Sequence, residues 1–240
     1  MGRTLIVGDV HGCKAELEAL LDTTKFTTGD QVVFVGDLVA RGPESLGVLD
    51  VARQAGALIV RGNHEEKVLA WRREQDAYAA GGPPPKPLGR MHSEVALAMR
   101  PIDWSLLSHT PLWLDLPEHG VRVVHAGVVP GVPIEEQRRK TLLRVRLIGP
   151  DGEPKATRRG GQLWGETYKG PPHVVFGHNA AVRPQLHRWA TGLDTGCVYG
   201  GRLTALVLSE GEPVPLDVRA RKRRLVSVLA RRSYFPATQY

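Results

Sequence analysis

Aspartates, histidines and one asparagine recur along this chain in a single local setting, directly after a short apolar run and beside a glycine. Gly8-Asp9-Val10-His11-Gly12 follows Leu5-Ile6-Val7, the block from Gly36-Asp37 to Arg41-Gly42 follows Val32 to Val35, and Arg61-Gly62-Asn63-His64-Glu65 follows Leu58-Ile59-Val60. His125-Ala126-Gly127 follows Val121 to Val124, and Gly177-His178-Asn179 follows Val174-Val175-Phe176. Apolar runs of this length bounded by turn residues read as buried strands. Each polar block therefore sits at a strand's carboxyl end, the edge where open α/β sheets form their ligand crevice. The chemistry suited to such a set is metal binding. Asp9, His11 and His178 are expected to surround one divalent ion, and Asn63 and His125 a second, with Asp37 bridging because a carboxylate has lone pairs for two cations. Imidazole, carboxylate and amide together suit Mn²⁺, Fe, Zn²⁺ or Co²⁺ better than Ca²⁺, and Mn²⁺ is the first expectation. Two such ions about 4 Å apart stabilise both the attacking and the leaving oxygen at phosphorus and supply hydroxide near neutral pH. Hydrolysis of a phosphate ester or phosphoanhydride follows as the expected reaction.

The elements that must position these residues alternate through the first 75 positions. After Leu5-Ile6-Val7, the segment Cys13 to Asp22 places Cys13, Leu17, Leu20 and Leu21 on one helical face. Helix-like stretches from Glu44 to Ala55 and from Glu65 to about Gln75 follow the next two strands. That β-α-β-α-β-α order predicts a largely parallel sheet covered by helices. Ala79 to Arg90, rich in Gly and Pro, reads as a surface loop and Met91 to Leu107 as helical; Leu112–Leu116 and Val121–Val124 around a Pro-Glu-His-Gly turn read as a hairpin. Strands are also expected at 174–176, 185–189 and 202–208, whereas the polar, Gly-rich stretch 132–170 shows no period.

The blocks GDVHG, GDLVARG, GNHE, HAG and GH, in this order, resemble the five motifs of the calcineurin-like metallophosphoesterases, within the phosphoprotein-phosphatase superfamily. The resemblance covers residues 3 to 210 and is weak in the middle third. It implies a four-layer α/β/β/α sandwich with two metal ions, His64 as general acid for the leaving group and Arg41 as a phosphate clamp. Imidazole titrates near neutral pH and a guanidinium fork matches phosphate oxygens bidentately, so both roles are chemically sound. GDLVARGP at 36–43 and LDTGCVYGGRLTAL at 193–206 look most like bacterial symmetrical diadenosine tetraphosphatases. The activity this implies is hydrolysis of dinucleoside polyphosphates to nucleoside diphosphates. Removal of nucleoside-tetraphosphate caps from RNA 5′ ends is the alternative, followed by a phosphoprotein phosphatase and, outside enzymes, a nucleic-acid binder with an inactive site. Two positions depart from these patterns. Protein phosphatases carry Asp just before the clamp arginine, where this chain has Ala40, so the partner of His64 is left open; symmetrical tetraphosphatases usually carry Asp where this chain has Glu65. Arg144 and Arg146, within LLRVRLIG, are candidates for a second phosphate arginine, with an edge strand of outward charges as the competing reading.

Composition is that of a soluble globular chain, with 42% apolar and 24% charged residues among 240. The formal net charge of +7 is concentrated in residues 219–232, which hold seven basic side chains and no acid. A division into a phosphoesterase domain at 1–218 and a basic tail at 219–240 is expected, the tail serving either solubility or contact with an RNA backbone. The chain's expected partner is otherwise its nucleotide substrate, with neither a membrane nor an obligatory protein partner. No secretory signal or membrane span is evident, and Cys13 and Cys197 are expected as reduced thiols, which gives a cytoplasmic expectation. Asp194 is expected either to support a histidine of the site or only to shape its turn. His92, His109, His119, His173 and His187 have no motif around them and are expected to be ordinary; Cys197, Trp113, Trp164 and Trp189 are expected in the core.

Overall fold

The computed structural model describes residues 2–236. The alternating half of the chain forms β1 (Thr4–Val7), α1 (Lys14–Thr23), β2 (Gln31–Phe34), α2 (Ser45–Gln54), β3 (Leu58–Ile59) and α3 (Asn63–Ala79). The helical stretch after the loop divides into α4 (Arg90–Ala98) and α5 (Pro101–Ser108), because Pro101 disfavours a helical Arg100 and suits the first turn of a new helix. The expected hairpin follows as β4 (Trp113–Leu116) and β5 (Val121–Val124), antiparallel in register Leu114 to Val123. The stretch with no period contains α6 (Arg139–Arg144), three two-residue strands β6 (Leu147–Ile148), β7 (Pro154–Lys155) and β8 (Gln162–Leu163), and the short α7 (Trp164–Thr167). The chain then runs through β9 (His173–Phe176), β10 (Gln185–Leu186), β11 (Ala190–Gly192), β12 (Asp194–Thr195), β13 (Arg202–Leu208), α8 (Val218–Lys222) and β14 (Leu225–Leu229).

Two sheets result. One has the order β12-β13-β1-β2-β3 with β14 paired to β13, and the other β10-β11-β9-β5-β4; β6 to β8 form a third, small sheet. The parallel pairing expected of the first half holds within β1-β2-β3, and β13 closes that sheet antiparallel to β1. Period-two alternation explains the layering. Val7, Val32 and Phe34 point to the core shared with α1, α2 and α3, while Ile6, Val33 and Val35 point to a second core with Val121, Val123 and Val175 of the other sheet. A third core on the far side packs Val124, Val174 and Phe176 against Leu142 and Trp164. This is the four-layer α/β/β/α arrangement. Trp164 is buried and donates from Nε1 to the Ala126 carbonyl at 3.0 Å, whereas Trp113 and Trp189 are half-buried.

The basic segment departs from the expected tail. Residues 218–229 form α8 and β14, with Val226 opposite Ala205 in the first sheet; residues 237–240 lie outside the described residues. Arg221 is fully buried there, donating to the carbonyls of Pro215 at 2.6 Å and of His187, and Arg224 pairs with Glu212. Charge count alone reads such a run as solvated, but a guanidinium's five donors can be met by carbonyls. No described helix is long and apolar enough to cross a membrane. Arg221→Ala is expected to lower unfolding free energy by about 2–3 kcal/mol in denaturant melts, since it strips partners from buried carbonyls. Arg219→Ala on the exposed side should change it by less than about 0.5 kcal/mol; equal effects would show that the segment is only loosely held.

Candidate active site

The carboxyl ends of β1, β2, β3, β5 and β9 bring Asp9, His11, Asp37, Asn63, His125 and His178 to one place. Asp37 lies at its centre: Oδ1 accepts the His64 backbone N–H at 2.9 Å, and Oδ2 stands 3.6 Å from His11 Nε2 and 3.4 Å from His125 Nε2. Donor atoms fall into two groups that share Asp37, one with His11 and His64 and one with His125 and His178. His178 therefore stands with His125, their rings 5.1 Å apart, rather than with Asp9 and His11 as expected. The reason is local. Both Asp9 oxygens accept the backbone N–H of His178, at 3.1 and 3.0 Å, which leaves the imidazole to the neighbouring group.

Backbone strain marks the site. His11, Asp37, Ala40, Arg41 and His178 all have positive φ, between 48° and 73°. Each such non-glycine residue costs about 1–3 kcal/mol, which persists only where the surroundings over-determine the conformation. Glu65 supplies much of that constraint. From the first turn of α3 its Oε2 accepts the N–H groups of Asp37 at 2.8 Å and Gly62 at 2.9 Å, and its Oε1 those of Leu38 at 2.8 Å and Val39 at 3.1 Å. A single carboxylate thereby ties the β2 loop to the start of α3. A Cβ at Gly62 would collide with Asp37, so this approach requires glycine.

The imidazoles are oriented as ligands. His11 Nδ1 lies 3.2 Å from the Val39 carbonyl and His125 Nδ1 3.0 Å from the Val35 carbonyl, so each donates there and turns its Nε2 inward. His125 Nε2 then faces both Asp37 and, at 3.1 Å, Asn63 Oδ1. A nitrogen lone pair opposed to two oxygens needs a cation or a proton between them. Among the described residues, His178 Nε2 is buried with no partner. The convergent donors of Asp37, His11, Asn63, His125 and the unpartnered His178 Nε2 fit divalent metal ions. Burial lowers His11 to about 4, which keeps the imidazole neutral, as ligation requires. Burial opposes ionisation of Asp37, but the imidazoles of His125 and His64 outweigh it and hold the carboxyl well below its usual range. Burial, with Asp194 and Asp37 nearby, raises Asp9 well above its own.

Arg41 reaches the centre, its Nη1 donating to His11 Nε2 at 2.8 Å, with its guanidinium 5.5 Å from the Tyr199 ring and 5.9 Å from the Phe235 ring. Asn63, His64, Arg41 and Arg144 line an open groove of about 430 Å³ whose other wall includes Met91, Phe235 and Pro236. Arg144 and Arg146 also face the site: both line a smaller cavity with Arg41, Asn63 and His178. They are not outward charges of an edge strand: Arg144 ends α6, and Arg146, whose backbone extends the small sheet just before β6, turns its side chain to the cavity. Asp194 Oδ1 accepts the Gly196 N–H at 3.0 Å, the turn-shaping alternative.

His64 is buried, and its missing partner is His92. His92 Nε2 lies 3.0 Å from His64 Nδ1, with the rings stacked at 4.8 Å. When His92 donates this bond, neutral His64 carries its own proton on Nε2, the nitrogen left for the groove. Burial, foremost, lowers both imidazoles, His92 to about 4. Nothing in the sequence around His92 marks it, because a lone histidine in a helix carries no local signal and its neighbour is 28 residues away. Buried His119 and His173 are ordinary as expected, bonded to Thr4 at 2.8 Å and Thr191 at 2.9 Å, and Cys13 and Cys197 are buried free thiols.

Residues 2–201 match the calcineurin-like phosphoesterase family, and the chain belongs to it. The bis(5′-nucleosyl)-tetraphosphatase PrpE [asymmetrical] of Halalkalibacterium halodurans is 31% identical over 234 residues, spanning 89% of this chain and 93% of that protein. Its counterpart in Oceanobacillus iheyensis is 30% identical over 232 residues, spanning 89% and 92%. Among solved structures, a protein provisionally described as a diadenosine tetraphosphatase superposes with a TM-score of 0.78 at 34% identity, over 95% of this chain and 94% of that one. A serine/threonine phosphatase from Saccharomyces cerevisiae shares only the fold, with a TM-score of 0.55 at 15% identity over 99% and 81%. The relatives carry the asymmetrical designation, which corrects the symmetrical type expected from GDLVARGP and LDTGCVYGGRLTAL.

His92→Ala is expected to lower kcat on a phosphate substrate about tenfold with KM little changed, against at least ~10²-fold for His64→Ala. Steady-state kinetics measure both, and His92→Gln, which keeps a donor, should recover part of the loss. An unchanged kcat in His92→Ala would leave the contact without a role in positioning.

Proposed function

We propose that this chain hydrolyses dinucleoside polyphosphates, dividing the phosphate chain unequally. The observation that carries the reading is a metal-ligand cluster flanked by Arg41 and Arg144 that opens into the groove walled by Met91, Phe235 and Pro236, room for the organic end of a nucleotide next to the phosphates. The asymmetrical tetraphosphatase relatives, matched over nearly their whole length, support it. Asp37 would be shared between two ions, with Asp9 and His11 toward one and Asn63, His125 and His178 toward the other. Mn²⁺ is the first choice for both, with Fe, Zn²⁺ or Co²⁺ as substitutes. Bound there, the ions supply an activated water and charge stabilisation at phosphorus.

The chain's own residues do the rest. Arg41, backed by the Tyr199 and Phe235 rings, clamps the phosphate under attack, with Arg144 on its other side. Asn63 contributes its amide to the same phosphate. His64 gives a proton to the departing oxygen. Burial disfavours its imidazolium, but an anionic substrate arriving beside it works in the opposite direction and raises its pKa in the complex. His92 holds the ring in place. Ala40 is 1% exposed and offers no side-chain acceptor, so His92 stands where protein phosphatases rely on an aspartate.

The test is a product analysis. With Mn²⁺, a dinucleoside tetraphosphate should yield nucleoside triphosphate and monophosphate in equal amounts on anion exchange. Its kcat/KM should exceed that for a phosphopeptide by at least ~10²-fold, since the second nucleoside phosphate adds contacts a peptide lacks. Two equivalents of nucleoside diphosphate would overturn the unequal cut. Faster turnover of capped RNA or of the phosphopeptide would overturn the substrate class.

A further inference from the structure

The stretch 132–170, which shows no sequence period, builds one wall of the smaller cavity, about 170 Å³ in volume and adjoining the metal-ligand cluster. Arg41, Arg144, Arg146 and Arg158 all line it, with His178 and Tyr199. Arg146 is held firmly. Its backbone N–H donates to the Lys155 carbonyl at 2.9 Å and its carbonyl accepts from Trp164 at 3.2 Å, which seats the residue in the small sheet. Its Nη1 donates to the Ala156 carbonyl at 2.7 Å, while its Nε is buried with no partner among the described residues. Arg158 comes from the loop between β7 and β8 and reaches the Ala180 carbonyl at 3.3 Å, two residues past His178.

Among the described residues, none of these four arginines forms an ion pair with a carboxylate; the acids on the wall are Asp37 and Asp194, one central to the metal-ligand cluster and the other closing its own turn. Four guanidiniums converging on so small a volume repel one another, a cost that a multivalent anion removes. Burial and the nearby charge of Arg158 both lower Arg146. The volume is below the about 300–1,000 Å³ that takes a whole drug-sized ligand, so the cavity suits phosphates rather than a nucleoside.

We propose that Arg146 and Arg158 form a subsite for the phosphates of a polyphosphate chain beyond the one under attack, and so select substrates with several linked phosphates over simple phosphomonoesters. This rests on the polyphosphate reading above. Each guanidinium presents a planar fork to phosphate oxygens, and each is aimed by a backbone carbonyl from a different loop. The small three-stranded sheet thus acts as a specificity wall attached to a shared catalytic centre.

Calorimetric titration of the full chain, with free Mn²⁺ held constant, tests this without relying on turnover. Inorganic tripolyphosphate should bind at least roughly tenfold more tightly than orthophosphate, as expected when further charge-assisted contacts are made. Arg158→Ala and Arg158→Gln should each weaken tripolyphosphate about tenfold and orthophosphate less than about threefold. Arg158 is exposed and outside the cores, and circular dichroism verifies that both variants are folded. Equal affinity of wild type for the two anions, or tripolyphosphate binding unchanged in both variants, overturns the subsite. A wild type that fails to cleave dinucleoside tetraphosphate but shows the tripolyphosphate preference and its loss would overturn the function proposed above and leave the subsite standing.

Discussion

The Asp37 carboxylate, 2% exposed, stands between the two imidazoles His11 and His125, and its backbone N–H is held by Glu65. Removing such an anion from water is costly unless charge and hydrogen bonds surround it. The His64 backbone N–H supplies one compensating bond; the His11 and His125 imidazoles donate from Nδ1 to strand-end carbonyls and turn Nε2 lone pairs toward Asp37, an arrangement completed by a cation between them. Glu65 makes the arrangement rigid by accepting four backbone N–H groups from two loops. Burial pushes its carboxyl up to about 7, so the strap itself stores electrostatic cost.

Around this centre the fold acts as a frame. Five strand ends deliver the candidate ligands to one crevice, and the sheets behind them are filled by alternate valines and isoleucines that fix the register of each block. Positive φ at His11, Asp37 and His178 re-aims ligand-bearing side chains that a regular strand would point to one face or the other. Side chains outside the family motifs reach the same crevice from elsewhere: His92 from α4, Arg146 from just before β6 and Arg158 from the loop between β7 and β8.

What the residues reveal on their own follows the same division. The strand-end blocks are legible because strand, glycine and ligand lie within a few positions of each other. His92, the partner of His64, is not, because the pairing joins two helices through a single contact. The stretch 132–170 hides its sheet because two-residue strands are held by tertiary surroundings rather than by any period. The basic run shows a different failure. LVSVL at 225–229 carries the apolar and β-branched character of a strand, but the surrounding charges dominate the reading, and the burial of Arg221 depends on carbonyls at Pro215 and His187 that no local pattern announces.

The most direct measurement of the central claim, a carboxylate shared between two ions, is metal stoichiometry. Wild type and Asp37→Asn would be dialysed to equilibrium against Mn²⁺ and the bound metal counted by inductively coupled plasma mass spectrometry. The account predicts about two ions per wild-type chain and at most about one in the variant at the same free metal, since the shared negative charge is lost. A wild type that holds one ion or none, or an Asp37→Asn variant that keeps two with undiminished affinity, would contradict it.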